Sequence, residues 1–277
     1  MDWKLIAIDL DGTALQNDKH HISRRLARAL EAAHEKGVHV LVSTGRPFGI
    51  LPPDIRSGAD WNDLCVLCNG AEVRNLRTGE LLATNCMTGR QLLTAVEKAE
   101  QMDVPLEVFQ GNHMYLSRRG LEQINESQLP HLRYHRENTI RFLGRVVEDL
   151  REICEPDRAD YAKLLFPVIA GETREEMREF LTQIGLVCAA DSPYTMEVTA
   201  PTATKANGVS WVCRHYGISM EQVMAFGDSD NDLSLLRVAG KGVAVGNAPE
   251  DVKAEADEVT ASNVEDGVAI IIERDIL

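Results

Sequence analysis

Two carboxylates follow a short apolar segment near the start of the chain. Asp9 and Asp11 come directly after Leu5–Ile8 and are separated by a single leucine. Side chains on an extended backbone alternate sides, so residues i and i+2 face the same way and these acids should converge. Two like charges beside a core are costly unless a cation or a reaction needs them. A turn, the common role of Asp-Gly, would explain Asp11 and Gly12 but not Asp9.

A second acidic segment lies more than two hundred residues later. The letters GDSDND at positions 227–232 follow the apolar run 223–226, so carboxylates again come at the end of an expected strand. Oxygen ligands suit a hard divalent cation, and Mg²⁺ is usually held by a few carboxylates with water and phosphate. An EF-hand would need a glycine at the sixth loop position and a glutamate at the twelfth, and neither is present. We therefore expect Asp9 and Asp228 to share one metal ion.

Further polar residues at the ends of expected elements suit a bound phosphate. Thr44 and Gly45 end the second strand and offer a hydroxyl and a backbone amide, while Lys205 offers a positive charge at the start of a helix. A lone lysine is usually just solvated, but this one lies on the same expected sheet edge as the acids. Arg46 and Asn69 also lie at loop ends, where they either contact substrate or support the loop.

The elements that carry these residues alternate between strand and helix patterns. An N-cap at Ser23 and an apolar stripe at helical spacing predict a helix that ends at Gly37, and the runs VHVLVS and LCVL predict buried strands. Helical connections imply a parallel sheet with right-handed crossovers. Ligands bind such sheets at the carboxyl ends of the strands. The same rhythm returns after about residue 200, with a helix from Lys205 to Gly217.

The middle of the chain has a different pattern. A helix after Thr88 precedes two short strands around Gly111 and Asn112, and a further strand, a helix and two strands follow from about residue 161. This pattern predicts an α+β unit inserted into the α/β sheet. The segment between is rich in arginine and resists assignment. Its Arg118 and Arg119 either bind a second anionic group or are solvated, and solvation is the usual outcome for surface helices.

Composition limits the classes of partner. The 277 residues are 44% hydrophobic and 26% charged, which is ordinary for a globular protein, and the formal net charge is −14. This charge disfavours nucleic acid and anionic membrane surfaces. No apolar run approaches the length needed to cross a bilayer, so we expect a cytoplasmic protein. Cys65 and Cys68 have C-x-x-C spacing, but they lie in an apolar strand pattern and are expected to be core residues.

The ordered motifs DLDGT at 9–13, STGR at 43–46, a lysine at 205 and GDSDND at 227–232 resemble the four signatures of the haloacid dehalogenase-like superfamily of phosphohydrolases. The whole chain resembles its Cof-type (type IIB) branch, which NGA at 69–71, GVAVGNAPEDVK at 242–253 and ADEVTASNVEDGVA at 256–269 also match. The resemblance implies a Rossmann-like α/β core, assigned to residues 1–84 and 190–277. It also implies an inserted α+β cap of the C2 type, assigned to residues 85–189, that selects the substrate.

The resemblance also implies a role for each matching residue. Asp9 would be the nucleophile that forms an aspartyl-phosphate, and Asp11 the acid that protonates the leaving oxygen and then deprotonates water. Mg²⁺ would be held by Asp9, the backbone carbonyl of Asp11 and Asp228. Two sets complete the implied site: a supporting carboxylate, Asp232, and the phosphate-binding groups Thr44, Gly45, Lys205 and Asn231.

The implied activity is that of a Mg²⁺-dependent phosphatase acting on a small phosphorylated metabolite such as a sugar phosphate or a nucleotide. A phosphomutase or phosphotransferase would pass the same aspartyl-phosphate to a sugar instead of water. A regulatory module that keeps a phosphoryl group on Asp9 is a third alternative, although an adjacent acid-base group would not benefit it. The sequence indicates neither the substrate nor the oligomeric state.

Overall fold

The computed structural model describes residues 2–56, 61 and 63–277, and the chain divides into two compact units. The first unit contains Met1–Arg46, Leu51–Ala83 and Thr204–Leu277, and the second contains Pro47–Ile50 and Thr84–Ala203. The second join therefore falls near residue 204, whereas the sequence led us to expect it near 190. The reason is that the strand Thr195–Thr199 pairs with Tyr161–Phe166 in the sheet of the second unit.

The regular elements are numbered in chain order. The strands are β1 (Leu5–Ile8), β2 (His39–Ser43), β3 (Leu64–Leu67), β4 (Glu72–Asn75), β5 (Leu81–Thr84), β6 (Glu107–Gln110), β7 (His113–Ser117), β8 (Gly144–Val147), β9 (Tyr161–Phe166), β10 (Val187–Ser192), β11 (Thr195–Thr199), β12 (Val223–Gly227), β13 (Lys241–Ala244) and β14 (Glu258–Val259). The α-helices are α1 (Arg24–Glu35), α2 (Pro53–Arg56), α3 (Gly89–Gln101), α4 (Arg118–Glu126), α5 (His131–His135), α6 (Arg141–Leu143), α7 (Gly171–Gln183), α8 (Lys205–Tyr216), α9 (Leu233–Leu236), α10 (Glu250–Glu255) and α11 (Gly267–Asp275).

The sheet of the first unit has the strand order β14-β13-β12-β1-β2-β3-β4-β5. From β14 to β3 every neighbouring pair is parallel, and β12 lies directly beside β1 with Ile8 opposite Phe226. Both faces of β1 are buried, which explains why it is apolar at every position. The expected parallel sheet is confirmed, and the ends of β1 and β12 are brought side by side.

Local signals define the helices that flank this sheet. Ser23 caps α1 by accepting a hydrogen bond from the Leu26 amide, and Thr204 caps α8 in the same way from Asn207. The C-cap of α8 is Gly217 in the left-handed conformation, at the residue where the sequence predicts the end. The α8 and α9 helices bury apolar side chains against β1, β3 and β12 in one core cluster.

The antiparallel strand β4 was not anticipated. It pairs with β3 and carries two charged side chains, Glu72 and Arg74, that are almost completely buried. The Arg74 guanidinium donates to the Glu72 carboxylate at 2.7 Å and to the Gly79 carbonyl at 3.1 Å, so both charges are compensated. Charged residues on a short strand hide the apolar signal from which strands are usually recognised.

The second unit is built on a sheet of order β10-β11-β9-β6-β7-β8, antiparallel except between β7 and β8. The expected hairpin at Gly111 joins β6 to β7, with Gln110 opposite His113. Phe109, Met114 and Leu116 form an apolar cluster with side chains from the segment 124–143 that had resisted assignment. The second unit is thus a compact body of strands and helices.

Among the described residues, no helix combines the length and apolar character needed to cross a membrane. Cys65 and Cys68 are both buried, and burial raises the pKa of the Cys65 thiol to about 12. These properties agree with a role as core residues.

Candidate active site

The loop after β1 places the first acid pair. Asp9 continues the strand, because its amide donates to the Phe226 carbonyl at 3.1 Å, and only 5% of its surface is exposed. The next residues form a wide turn closed by the Leu15 amide on the Leu10 carbonyl at 2.8 Å. Gly12 within this turn has φ +80°, and a Cβ atom there would lie 2.3 Å from an oxygen of Asp228. The glycine is thus required both by the backbone conformation and by the close approach of the second acidic loop.

Three carboxylates from the two acidic loops converge. Asp9, Asp228 and Asp232 each offer an oxygen, and these oxygens lie within 4.8 Å of one another. Within the ranges 2–56, 61 and 63–277, no other group of histidine, cysteine or acidic side chains meets this criterion. The convergence follows from the pairing of β1 with β12, which brings together residues that are far apart in sequence.

Lys205 lies among these acids at the first position of α8 and is completely buried. Its Nζ donates to Asp9 Oδ1 at 2.7 Å and to Asp232 Oδ1 at 2.6 Å. Burial alone would lower the pKa of Lys205, but the charges of Asp232 and Asp9 outweigh it and raise the pKa, so the ammonium stays charged. Burial also raises the pKa of Asp9, and the charge of Lys205 opposes that rise.

The two acids of the second acidic loop, Asp228 and Asp232, have different environments. Asp228 Oδ1 accepts a hydrogen bond from Thr13 Oγ1 at 2.8 Å, while burial raises the pKa of Asp228 to about 6. Asp232 Oδ2 accepts the amides of Asp228 and Ser229 at 3.0 and 3.1 Å, and its Oδ1 is held by Lys205. Both oxygens of Asp232 are therefore engaged by the protein, which favours a supporting role over direct contact with a metal.

The segment after β2 brings the expected phosphate-binding groups to the same sheet edge. Thr44 is buried, and its amide donates to the Val66 carbonyl at 2.9 Å, which ties the loop to β3. Asn231 Nδ2 donates to Asn69 Oδ1 at 3.0 Å, and a Cβ atom on Gly45 would lie 2.8 Å from that same oxygen. Gly45, Asn69 and Asn231 are thus in contact, and Asn69 orients the amide of Asn231.

Arg46 does not lie apart from the acids. Its Nε and Nη2 donate to the two oxygens of Asp11, each at 2.6 Å, and Nη2 also donates to the Lys19 carbonyl at 2.9 Å. A bidentate pair of this kind fixes the orientation of a carboxylate. The structure therefore places Arg46 against the expected acid-base residue, a contact that spacing alone did not indicate.

The donors at this site are suited to a hard cation. Asp9 and Asp228 contribute carboxylate oxygens, and the backbone carbonyl of Asp11 lies in the same loop as Asp9. Among the described residues, no sulfur or imidazole ligand accompanies them. Oxygen-only sets with few carboxylates favour Mg²⁺ over zinc or copper. Burial, together with the charges of the neighbouring carboxylates, raises the pKa values of Asp9 and Asp228, and a bound cation would offset this cost.

Three residues that contribute to this geometry were not singled out from the sequence. Thr13 was quoted only as part of DLDGT, yet its hydroxyl holds Asp228. Asn247 and Asn263 belong to stretches that match the Cof-type branch, and their side chains bond to the Asp9–Gln16 loop. Their matching motifs were the available signal, but a motif does not say which atom its residues contact.

Comparison with known proteins agrees with this geometry. Residues 6–272 match the model of the family described as haloacid dehalogenase-like hydrolase. Two phosphatases of Bacillus subtilis are similar along their whole length. YwpJ is 33% identical, with 96% of this chain and 97% of that protein covered. YcsE, a 5-amino-6-(5-phospho-D-ribitylamino)uracil phosphatase, is 32% identical, with 100% and 97% covered.

Solved structures agree as well. A haloacid dehalogenase-like hydrolase from B. subtilis superposes with a TM-score of 0.83 at 29% identity, covering 98% of this chain and 99% of that one. The subclass IIB sugar phosphatase BT4131 gives a TM-score of 0.81 at 26% identity, with 99% and 100% covered. The predicted fold class and family are confirmed. The chain belongs to the haloacid dehalogenase-like hydrolase family, as a phosphatase of its Cof-type branch.

Proposed function

We propose that the chain is a Mg²⁺-dependent phosphatase that hydrolyses a small phosphorylated metabolite through an aspartyl-phosphate on Asp9. The observation that carries this proposal is the convergence of Asp9, Asp228 and Asp232 around the buried Lys205 ammonium. An ion pair with a purely structural role would need only one carboxylate to neutralise the Lys205 charge, whereas Lys205 bonds to two and a third, Asp228, lies beside them. A third carboxylate and an adjacent acid-base candidate are explained by a reaction that needs them.

The first half of the reaction transfers the phosphoryl group to the protein. Asp9 Oδ1 is held by Lys205, so Oδ2 is the oxygen that we assign to the attack on phosphorus. As that bond forms, the bond from phosphorus to the leaving oxygen breaks, and Asp11 gives its proton to that oxygen. Mg²⁺, when bound by Asp9, Asp228 and the Asp11 carbonyl, supplies the positive charge that lets an anionic nucleophile approach an anionic phosphate.

The second half returns the carboxylate. Asp11, now deprotonated, takes a proton from water, the water oxygen bonds to phosphorus, and the bond from phosphorus to Asp9 breaks. Throughout, the Thr44 hydroxyl, the Gly45 amide, Lys205 and the Asn231 amide neutralise the phosphoryl oxygens. Arg46 donates to both oxygens of Asp11, so Asp11 exchanges its proton through a remaining lone pair or after one of these two hydrogen bonds has opened.

We assign substrate selection to the second unit, which corresponds to the cap expected from the sequence. Related proteins are named as a sugar phosphatase and as 5-amino-6-(5-phospho-D-ribitylamino)uracil phosphatases. Each of these names describes a phosphate ester of a polyhydroxylated carbon chain. We therefore place such esters first in a panel of phosphorylated metabolites. Stoichiometric release of inorganic phosphate would separate a hydrolase from a phosphotransferase that passes the group to a sugar.

The decisive experiment replaces the nucleophile. Asp9→Asn should reduce Mg²⁺-dependent phosphate release from 4-nitrophenyl phosphate to the background rate, because an amide cannot form the aspartyl-phosphate. Asp230→Asn is the matched control, since Asp230 is an exposed acid of the late loop outside the converging carboxylates. It should keep activity near that of the wild type. An Asp9→Asn protein that folds and retains most of the activity would disprove the assignment.

A further inference from the structure

Two asparagines outside the proposed chemistry tie the Asp9–Gln16 loop to the loops that follow β13 and β14. Asn247 comes after β13 and Asn263 after β14, two strands that continue the parallel sheet beyond β12. Both loops therefore emerge at the same sheet edge as Asp9. Neither asparagine has an assigned role in the proposed reaction.

The side chain of Asn247 joins two backbones. Its Nδ2 donates to the Gly12 carbonyl at 2.8 Å, and its Oδ1 accepts the Asn263 amide at 2.9 Å. The two contacts require opposite ends of the amide, so one orientation of the side chain satisfies both. A carboxylate at this position would keep the acceptor but place an oxygen against the Gly12 carbonyl.

The side chain of Asn263 extends the same connection. Its Nδ2 donates to the Leu15 carbonyl at 2.8 Å, and the backbone carbonyl of Asn263 accepts from Gln16 Nε2 at 3.2 Å. The two loops also meet at Gly246, whose amide donates to the Ala261 carbonyl at 3.1 Å and where a Cβ atom would lie 3.0 Å from the Ser262 nitrogen. The Asp9–Gln16 loop is thus held at Gly12, Leu15 and Gln16, on the C-terminal side of Asp11.

The loop needs such support because of its conformation. Asp11 and Gly12 have non-helical dihedral angles within the wide turn, so the regular bonds of a helix do not hold the backbone there. The Asp11 side chain is 42% exposed, and the Arg46 guanidinium that holds it acts on the carboxylate and not on the backbone of the turn. A displacement of about 1 Å at a reacting group can cost about a hundredfold in rate.

We propose that Asn247 and Asn263 are positioning residues that hold the backbone of Asp11 where its carboxyl group can protonate the leaving oxygen. This inference rests on the proposed function, because it requires Asp11 to act as the acid. It deepens that function by assigning a task to the two matching stretches, 242–253 and 256–269, that contain no proposed catalytic group. The asparagines act through Asp11 and do not touch the substrate.

The test compares two substrates that differ in their need for an acid. Phenolate is a poorer leaving group than 4-nitrophenolate, so hydrolysis of phenyl phosphate depends more on protonation of the leaving oxygen. The constant kcat/KM reports only the steps up to departure of the leaving group, which are the steps in which that protonation occurs. The measured quantity is the kcat/KM for phenyl phosphate divided by the kcat/KM for 4-nitrophenyl phosphate, at saturating Mg²⁺. Asn247→Ala and Asn263→Ala should each lower this ratio by about fivefold or more, which is a fraction of the full contribution of a general acid. The ratio does not depend on the fraction of protein that is folded.

Controls separate positioning from a general weakening of the protein. Asn17→Ala removes an exposed asparagine close to the same loop and should leave the ratio unchanged. In an Asp11→Asn background, Asn247→Ala should lower the ratio no further, because the group through which it acts is already absent. If an alanine variant yields no active protein, Asn247→Asp and Asn263→Asp preserve size and should lower the ratio in the same direction.

The inference fails if folded, active variants keep the wild-type ratio, or if the effects of Asn247→Ala and Asp11→Asn are simply additive. Those outcomes would leave the proposed function intact provided that Asp9→Asn is inactive and Asp11→Asn selectively slows phenyl phosphate. A failure of the proposed function looks different. In that case Asp9→Asn retains activity, or the wild-type protein releases no phosphate from either ester.

Discussion

A completely buried lysine between two carboxylates sets the electrostatic balance of the candidate site. Burial removes the hydration of the Lys205 ammonium, and its hydrogen bonds to Asp9 and Asp232 replace it. Because the ammonium neutralises part of their charge, the two acids can lie close together without a metal. The same charge lies where the phosphoryl oxygens of a substrate are proposed to bind. One residue thereby serves both the stability of the protein and the chemistry.

This double role leads to a prediction about stability. Lys205→Met should lower the free energy of unfolding in the absence of Mg²⁺ by about 3–5 kcal/mol, because it leaves buried carboxylates without their partner. Urea denaturation measures the change, and Lys4→Met is the matched control, since Lys4 pairs with Asp2 at the exposed surface. Added Mg²⁺ should recover part of the loss by binding the folded state. A loss below about 1 kcal/mol would mean that the carboxylates are compensated in another way.

At the level of single residues, the sequence predicted those that a motif and a strand end specify together. Asp9 and Asp228 were expected to meet, and they do, because parallel pairing places the residues after β1 and β12 side by side. The hydrogen bond from Thr13 to Asp228 and the pairing of Arg46 with Asp11 could not be predicted. Both depend on loop conformations and on side-chain rotamers that spacing does not determine.

At the scale of elements, an ion-pair network connects the first residues of β13 and β14 with α11. Lys241 donates to Asp275 at 2.6 Å and pairs with Glu258 at 2.7 Å, and Arg274 holds Glu258 through two bonds of 2.7 and 2.8 Å. The Arg274 guanidinium, followed by Lys241, lowers the pKa of Glu258 to about 2, and the same two cations lower that of Asp275 to about 2.

The direction of these shifts predicts how stability varies with pH. A carboxylate whose pKa is lower in the folded state stabilises that state above the pKa of the unfolded chain, and this contribution is lost as pH falls through the folded value. Lys241→Met should therefore reduce the free energy of unfolding at pH 7 by about 1–3 kcal/mol. The difference from wild type should shrink between about pH 4.5 and pH 2. A difference that stays constant over this range in chemical denaturation would show that lost packing, rather than charge, causes the effect.

The elements themselves were predictable to different degrees. Helices α1 and α8 were identified with their ends because capping residues and apolar stripes agree with each other. Strand β4 was missed because buried charges interrupt its pattern. The segment 118–147 was left unassigned because its helices are short and arginine-rich, and the structure places Arg118 and Arg119 in exposed pairs with Glu148 and Asp103.

At the scale of the whole molecule, the proposed chemistry is confined to one of the two units. All the residues proposed for it lie within the first unit: Asp9, Asp11, Thr44, Gly45, Arg46, Asn69, Lys205, Asp228, Asn231 and Asp232. The second unit is a continuous stretch, Thr84–Ala203, joined by the short segment Pro47–Ile50. Such a division allows the reaction to stay constant while the inserted unit varies.

This division predicts the result of exchanging the second unit. A chimera in which residues 84–203 are replaced by the corresponding segment of YcsE should keep kcat/KM for 4-nitrophenyl phosphate within about tenfold, because a small aryl ester depends mainly on the groups that carry out the chemistry. Its order of preference across the metabolite panel should move toward that of the donor, by about tenfold or more for at least one ester.

Two further variants complete the design of this exchange. Ile50 packs with the apolar cluster of the second unit, so the chimera should be made with this residue and with Ile50→Ser, to separate a poor fit in that cluster from an effect on chemistry. Asp9→Asn in the chimera should remove all activity, which shows that the same nucleophile is used. If the exchange instead lowers kcat/KM for every ester by the same large factor while the protein remains folded, then the inserted unit contributes to the reaction itself. The assignment of substrate selection to that unit alone would then be wrong.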